Sequence, residues 1–271
     1  MKRVLKSFLK KRLAARGFKL VHDSEATLPA GQFPLTVTAF EHLLNLIWRG
    51  EVPAGNKKRV DLLLGLLGTS IPEAYFIVRA LFSTRDVAGD VCEFGVAQGA
   101  TSTFMANEIL EGGKHLHLFD SFTGLPCPSE KDSLKDDIFK LGSMDAYAGT
   151  MACPEEMVKT RLKEISFPID RYTIHKGLVE QVLANDPGLP SQVSFAYVDL
   201  DFYEPIRRVM EYLDSVLTGG GVMIVDDYDF FSTGVKTAVE EFLADRERSI
   251  HYKLTIPDNA FGCFVILQRI K

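Results

Sequence analysis

The sequence predicts an α/β fold built on a seven-stranded, mostly parallel sheet with helices on both faces. Two observations carry that expectation. From Val91 onward, short β-rich runs alternate with helical stretches, the pattern of strand–helix–strand crossovers in a buried parallel sheet. The last two runs are separated by little more than "DNAFG", too short for a crossover, so they should close the sheet as an antiparallel hairpin.

Taken in order, residues 1–16, "MKRVLKSFLKKRLAAR", put Val4, Leu5, Phe8, Leu9 and Leu13 at helical spacing among lysines and arginines. This reads as an amphipathic helix packed on its own domain or on a second copy in a homodimer; membrane-surface or partner docking is the competing reading. From 34 to 81 the pattern stays helical through "LTVTAFEHLLNLIWRG" and "RVDLLLGLLG". It ends in "TSIPEAYFIVRALF", a helix entered at Thr69–Ser70 with Pro72 near its first turn. Residues 1–80 are therefore expected to be a helical extension that helps cover the ligands of a domain spanning 81–271. Strands are expected at 91–96, 115–120, 172–177, 193–200, 220–227, 252–257 and 263–269. The connection 121–154 is long beside the roughly two to six residues usual there, and it leaves the strand edge where open α/β sheets bind ligands. It is read as a lid over the acceptor pocket.

At 271 residues and 46% apolar, the chain can form one large core with an appendage. It has no run of about 18 apolar residues and no continuous apolar leader, so a soluble, cytoplasmic protein without stable membrane insertion is expected. Cys92, Cys127, Cys153 and Cys263 lack zinc-type or disulfide-scaffold spacing. The net charge of -5 conceals an uneven distribution: residues 1–20 carry eight Lys or Arg and no acid, so the remainder is strongly acidic. An acidic body argues against nucleic acid as a partner.

After the first strand comes "EFGVAQGATS", with Glu93, Gly95 and Gly99. Glycines at such a turn let backbone approach a ligand, and the helix that follows offers unpaired N–H groups. The spacing is GxxxG, not the GxGxxG of dinucleotide binders. Asp120 ends the second strand, where an acid can accept from both ribose hydroxyls; its alternative role is to cap the "DSFTG" turn. With no basic residue in either turn, an adenosine ligand lacking phosphates is favoured.

"YVDLDFYEP" sets Asp199 and Asp201 on one side of a strand end, and "GGVMIVDDYDFF" ends the next strand with Asp226 and Asp227. In a parallel sheet these acids converge on the edge that carries Glu93 and Asp120. Without a nearby cation they would repel one another, so a hard divalent ion, magnesium, manganese or calcium, is expected among them. The competing reading is that each aspartate caps the helix after its strand. An ion there would lower the pKa of an acceptor hydroxyl, with Asp201 the candidate base; if Asp201 ligates the ion instead, Asp199 would double as base.

The element order matches the plan of the Rossmann-like class I S-adenosylmethionine-dependent methyltransferases. More closely, the chain resembles the macrocin O-methyltransferase family (the TylF/MycF/NovP type). "CEFGVAQGATS" resembles its E-x-G-V-x-x-G turn, "LFDSFTGLP" its D-S-F-x-G-L-P loop, "DLDFYE" its D-x-D-x-Y-E and "GGGVMIVDDY" its G-G-x-x-x-x-D-D-Y. The resemblance, running from about 69 to 243, implies S-adenosyl-L-methionine and Mg2+ (or Mn2+) as cofactors and a small-molecule sugar or phenol hydroxyl as acceptor. It implies metal ligation by Asp199, Asp226 and Asp227, and supports Asp201 as base. It also implies cofactor contacts from Glu93, Gly95, Val96, Ala97, Gly99, Asp120, Ser121 and Gly124, with Thr69 and Ser70 as further candidates. "YEPI" stands where many members have Y-E-S-T.

His175 could approach the adenine or act as base, but an ordinary strand hydrogen bond is the better reading; His115 and His117 look like one sheet face. Trp48, Phe122, Phe139, Tyr147, Phe230 and Phe231 are candidate acceptor-pocket aromatics, of which Phe230 and Phe231 lie nearest the acidic motif. The rival functions are a metal-dependent phosphoester hydrolase, which lacks a basic clamp near the acids, and a non-catalytic docking protein using the basic N-terminal helix.

Overall fold

A computed structural model describes residues 58–270. The chain divides into two compact units, Met1–Gly65 and Leu66–Lys271. Of the first, the described part is helix α1 (Lys58–Leu64). The expected amphipathic helix over 1–16, and with it the dimer and docking readings, lies outside the described residues, as does Trp48. The helix entered at Thr69–Ser70, grouped with residues 1–80 in the sequence reading, falls within the second unit.

That helix, α2 (Ile71–Ser83), starts where its sequence dictates. Ser70 Oγ accepts from Glu73 N at 3.2 Å, and Pro72 occupies the first turn, where its missing N–H costs nothing. Strands and helices then alternate: β1 (Asp90–Phe94), α3 (Ala100–Glu108), β2 (Leu116–Asp120), α4 (Glu155–Glu164), β3 (Tyr172–Lys176), α5 (Val179–Asn185), β4 (Val193–Val198), α6 (Tyr203–Val216), β5 (Leu217–Val225) and α7 (Thr233–Ala244). A short α8 (Arg246–Ser249) leads to β6 (Tyr252–Thr255) and β7 (Val265–Arg269).

The seven strands form one sheet in the order β3-β2-β1-β4-β5-β7-β6. β1 to β5 pair in parallel, and β7 inserts antiparallel between β5 and β6, as the short "DNAFG" connection requires. β4 lies at the centre and is buried at all six positions, which accounts for its unbroken run "VSFAYV". α6 covers one face by burying Ile206, Val209, Met210 and Leu213, a helical i, i+3, i+4, i+7 stripe, against the sheet. No helix among the described residues is long and apolar enough to cross a membrane.

The long connection 121–154 is ordered by its own small core. Its 3₁₀ turn Met144–Tyr147 places Met144 and Tyr147 against Phe202 and Phe231, which follow the two acidic motifs. Tyr147 is fully buried, and its hydroxyl donates to Asp137 Oδ1 at 2.7 Å and accepts from Phe139 N at 2.9 Å.

Candidate active site

Because β1 to β5 run in parallel, their C-terminal ends share one edge, and backbone bonds between successive turns set the spacing there. Gly95 N donates to Phe119 O (2.9 Å), Asp199 N to Phe94 O (2.8 Å), Asp226 N to Val198 O (2.9 Å) and Gly177 N to Asp120 O (3.0 Å). The glycine turn and the first acidic turn are in direct contact. A Cβ on Gly95, whose φ is +87°, would stand 1.7 Å from the carbonyl oxygen of Asp199. Gly99 (φ +77°) opens α3 without a side-chain cap, leaving the first N–H groups of that helix facing the edge.

Asp120 ties this turn to β2. Its Oδ2 accepts from Val96 N (2.7 Å) and Ala97 N (2.8 Å), and its Oδ1 from Phe122 N (2.6 Å). It therefore does cap the "DSFTG" turn, and it also holds the glycine turn in place. Ser121 Oγ donates to Gly124 O at 3.1 Å, and Gly124 lies where a Cβ would come within 2.3 Å of Thr150 O. Glu93 is buried on β1 with its Oε2 lacking a partner; burial pushes its carboxyl well above the usual range, partly offset by the Ser102 hydroxyl.

Ligand oxygens of Asp199, Asp201 and Asp227 lie within 4.8 Å of one another. Asp201 (φ +62°) and Asp227 (φ +56°) both take the left-handed conformation that aspartate tolerates better than most side chains, and each turn aims its carboxyl back at the cluster. Burial raises all three carboxyls. The charges acting on Asp199 are all carboxylates, those of Asp226, Asp201, Asp227 and Glu73, and Asp201 is pushed up to about 6.

Asp226 stands just behind this trio. Its Oδ2 accepts from Tyr197 OH at 2.7 Å and its Oδ1 from Asp227 N at 2.8 Å. Tyr197 OH also lies 3.1 Å from Glu73 Oε1, and Thr69 Oγ1 lies 2.6 Å from Thr101 Oγ1 and 3.4 Å from Tyr197 OH. The carboxylates brought together are thus Asp199, Asp201 and Asp227, where the family resemblance pointed to Asp199, Asp226 and Asp227 as ligands. Thr69 and Ser70 spend their side chains inside the protein, Thr69 in this buried network and Ser70 as the cap of α2 and a donor to Phe261 O. Glu73 and Tyr197 were missed by sequence reasoning. The one available signal was Glu73, an acid three residues after a Ser cap, which reads first as a capping box.

Residues 78–263 match the family model described as Macrocin-O-methyltransferase (TylF). The chain belongs to this O-methyltransferase family. A curated relative from Streptomyces olivaceus, 8-demethyl-8-(2,3-dimethoxy-alpha-L-rhamnosyl)-tetracenomycin-C 4'-O-methyltransferase, is 29% identical over 146 residues. The match covers 52% of this chain and 54% of the relative, about half the length of each. The fold is shared with the O-methyltransferase NovP (TM-score 0.64, 20% identity, 88% of this chain and 99% of that one). It is shared also with the calicheamicin methyltransferase CalS11 (0.59, 22%, 93% and 98%) and an O-methyltransferase from Bacillus cereus in complex with SAH (0.54, 15%, 88% and 99%). These neighbours establish the Rossmann-like class I methyltransferase fold.

Most of the histidines and aromatics considered from the sequence have partners of their own in the fold. His175 is buried in a chain of contacts, its Nε2 2.9 Å from His117 Nδ1 and its Nδ1 2.7 Å from Asp186 Oδ2, with its ring stacked on Phe119. His115 bonds to Thr173 Oγ1 at 2.8 Å. Phe231 and Tyr147 are core residues of the 121–154 segment, whereas Phe139 is exposed and Phe230 partly buried beside them.

Proposed function

We propose that the protein is an S-adenosylmethionine-dependent O-methyltransferase that methylates a hydroxyl on a small glycosylated acceptor, with Mg2+ or Mn2+ held among the strand-end carboxylates. The observation that carries the reading is the packing of Asp199, Asp201 and Asp227 within 4.8 Å on the edge that bears the glycine turn. The donor set fits a hard divalent ion: the ligands are oxygen only, and the carboxyls raise one another. Asp199 and Asp227 would hold the ion. Asp226 joins them by family resemblance and can do so with the lone pairs left after its bonds to Tyr197 and Asp227 N. The sugar-bearing acceptor class is supported by the Streptomyces relative, which by its name acts on a rhamnosyl group.

The donor side fits as well. The bare N-terminus of α3, the close glycine turn and the unpartnered Glu93 Oε2 leave backbone and side-chain groups free for a ligand. Gly95, Val96, Ala97 and Gly99 would supply the turn, with Asp120 holding it and its remaining lone pairs free for ribose hydroxyls; Ser121 and Gly124 shape the loop beside it. When bound, the two cofactors supply the methyl group and the Lewis acidity that makes an acceptor hydroxyl easier to deprotonate. Asp201 then takes the hydroxyl proton. Without an ion, burial pushes its carboxyl up to about 6, and a bound cation would favour its ionised, proton-accepting form. The 121–154 segment covers the acceptor and keeps water out. The four free thiols suit a cytoplasmic enzyme.

Calorimetry with S-adenosylhomocysteine should show binding to the wild type and loss of most of it in Asp120→Ala; no binding to the wild type would refute the methyltransferase reading. Asp226→Asn should abolish magnesium-dependent turnover of a glycosylated acceptor and leave cofactor affinity within about threefold. Activity that survives excess chelator would remove the metal from the mechanism.

A further inference from the structure

We propose that Asp132 is a positioning residue that locks the 121–154 lid to both carboxylate turns, so that lid placement and carboxylate geometry change together. The proposal rests on the reading of that segment as the acceptor lid and of the strand-end carboxylates around Asp199 and Asp227 as the cation site.

Asp132 is only 7% exposed and accepts four hydrogen bonds. Its Oδ2 takes Ser129 N (2.8 Å) and Ser129 Oγ (2.7 Å), both within the lid. Its Oδ1 takes Tyr203 N (2.8 Å), the first residue of α6, and Ser232 Oγ (3.0 Å), the cap of α7. Tyr203 comes two residues after Asp201, and Ser232 five after Asp227. The space is shaped for this carboxylate, since a Cβ on Gly234 would lie 1.8 Å from Asp132 Oδ1.

The deciding feature is in α6 itself. Its cap position is Phe202, whose side chain accepts nothing, so the helix that follows "DLD" has no local N-cap. Asp132 supplies that acceptor from 71 positions earlier in the chain. Around it the lid pairs its backbone with the loop after Asp227: Lys135 N donates to Phe231 O (3.0 Å), Thr233 N to Ser133 O (3.0 Å), and Leu134 bridges Ser232. A lid displaced from this seat would uncap α6 beside the left-handed turn of Asp201.

Two substitutions separate the ends of the link. Asp132→Asn can keep its oxygen on Tyr203 N and Ser232 but turns an NH₂ toward Ser129 N, freeing the lid alone. Asp132→Ala frees both. Hydrogen exchange on the full chain should rise in 121–154 for both variants, by roughly five- to tenfold, the size expected for a lost cap. Exchange at the start of α6 should rise only in Asp132→Ala. Mn2+ titrated by electron paramagnetic resonance should bind at least about fivefold more weakly to Asp132→Ala and near wild-type strength to Asp132→Asn, while S-adenosylhomocysteine affinity holds within about twofold in both. Unchanged exchange in 121–154, or Mn2+ affinity in Asp132→Ala equal to wild type, overturns the proposal. If Asp132→Ala does not fold, Asp132→Asn and Ser129→Ala decide the lid arm: each must speed exchange in 121–154. Wild-type protein that binds no Mn2+ would refute the metal reading instead, and the exchange measurements would then decide the role of Asp132.

Discussion

At position 95 there is no room for even a methyl group. Gly95 combines a positive φ with a carbonyl 1.7 Å from where its Cβ would stand, and that carbonyl belongs to Asp199. Gly95→Ala must therefore shift either the glycine turn or the first acidic turn, and it should cost about 3 kcal/mol or more in urea denaturation as well as most of the activity. Stability equal to wild type would show that the two turns are not in contact. Asp201 allows a cleaner substitution, because asparagine tolerates its left-handed backbone about as well as aspartate does. Asp201→Asn should lower kcat by about 10²- to 10⁴-fold with S-adenosylhomocysteine affinity unchanged. Retained turnover would pass the base role to Asp199.

At the scale of elements, the sheet is stitched on one side by side chains that have no part in the proposed chemistry. His117 on β2 and His175 on β3 bond to each other, and Asp90 and Asp186 bond the outer nitrogens at 3.3 and 2.7 Å. Burial lowers the pKa of His175, partly offset by Asp186. His175→Ala leaves His117 with an unmet partner and opens a cavity against Phe119, so it should destabilise the fold by about 2–4 kcal/mol. Its calorimetric affinity for S-adenosylhomocysteine should match wild type; a large loss would restore His175 to the adenine site. Segment 121–154 is the opposite case, an irregular stretch held by polar contacts and a four-residue satellite core that it shares with the residues after the acidic motifs.

For the whole molecule, the carboxylate cluster is the largest group of linked carboxyls acting on the pH dependence of stability in metal-free protein. Asp199, Asp201, Asp226, Asp227 and Glu73 all have raised values when folded. A raised carboxyl keeps its proton in the folded state after the unfolded chain has lost it, so stability falls as pH rises from the unfolded value toward the folded one. For Asp201 that window runs from about 4 to about 6, and the more strongly raised groups extend it upward. Thermal denaturation in chelator should thus show a melting temperature lower at pH 7.5 than at pH 5.5, with millimolar Mg2+ narrowing the gap. A melting temperature that climbs over the same interval would mean that the histidines with lowered values, His115 and His175, outweigh the carboxyls.

Local sequence determined much of this protein. The period and length of the runs specified parallel strands with a closing hairpin, Ser70 and Pro72 marked a helix start, and the strand-end aspartates fell on one edge, because those signals act over a few residues and parallel pairing brings strand ends together. What only the tertiary structure decided are contacts between residues far apart in the chain. It grouped Asp201 with Asp199 and Asp227 and bonded Asp226, beside them, to Tyr197, since the aim of each carboxyl depends on left-handed turns and on a buried tyrosine from the neighbouring strand. It packed the long 121–154 connection against the segments that follow the acidic motifs and supplied α6 with a cap from Asp132. Hydrogen bonds across 71 positions leave no periodicity to read, and a phenylalanine at a cap position reveals its missing partner only once the chain has folded around it.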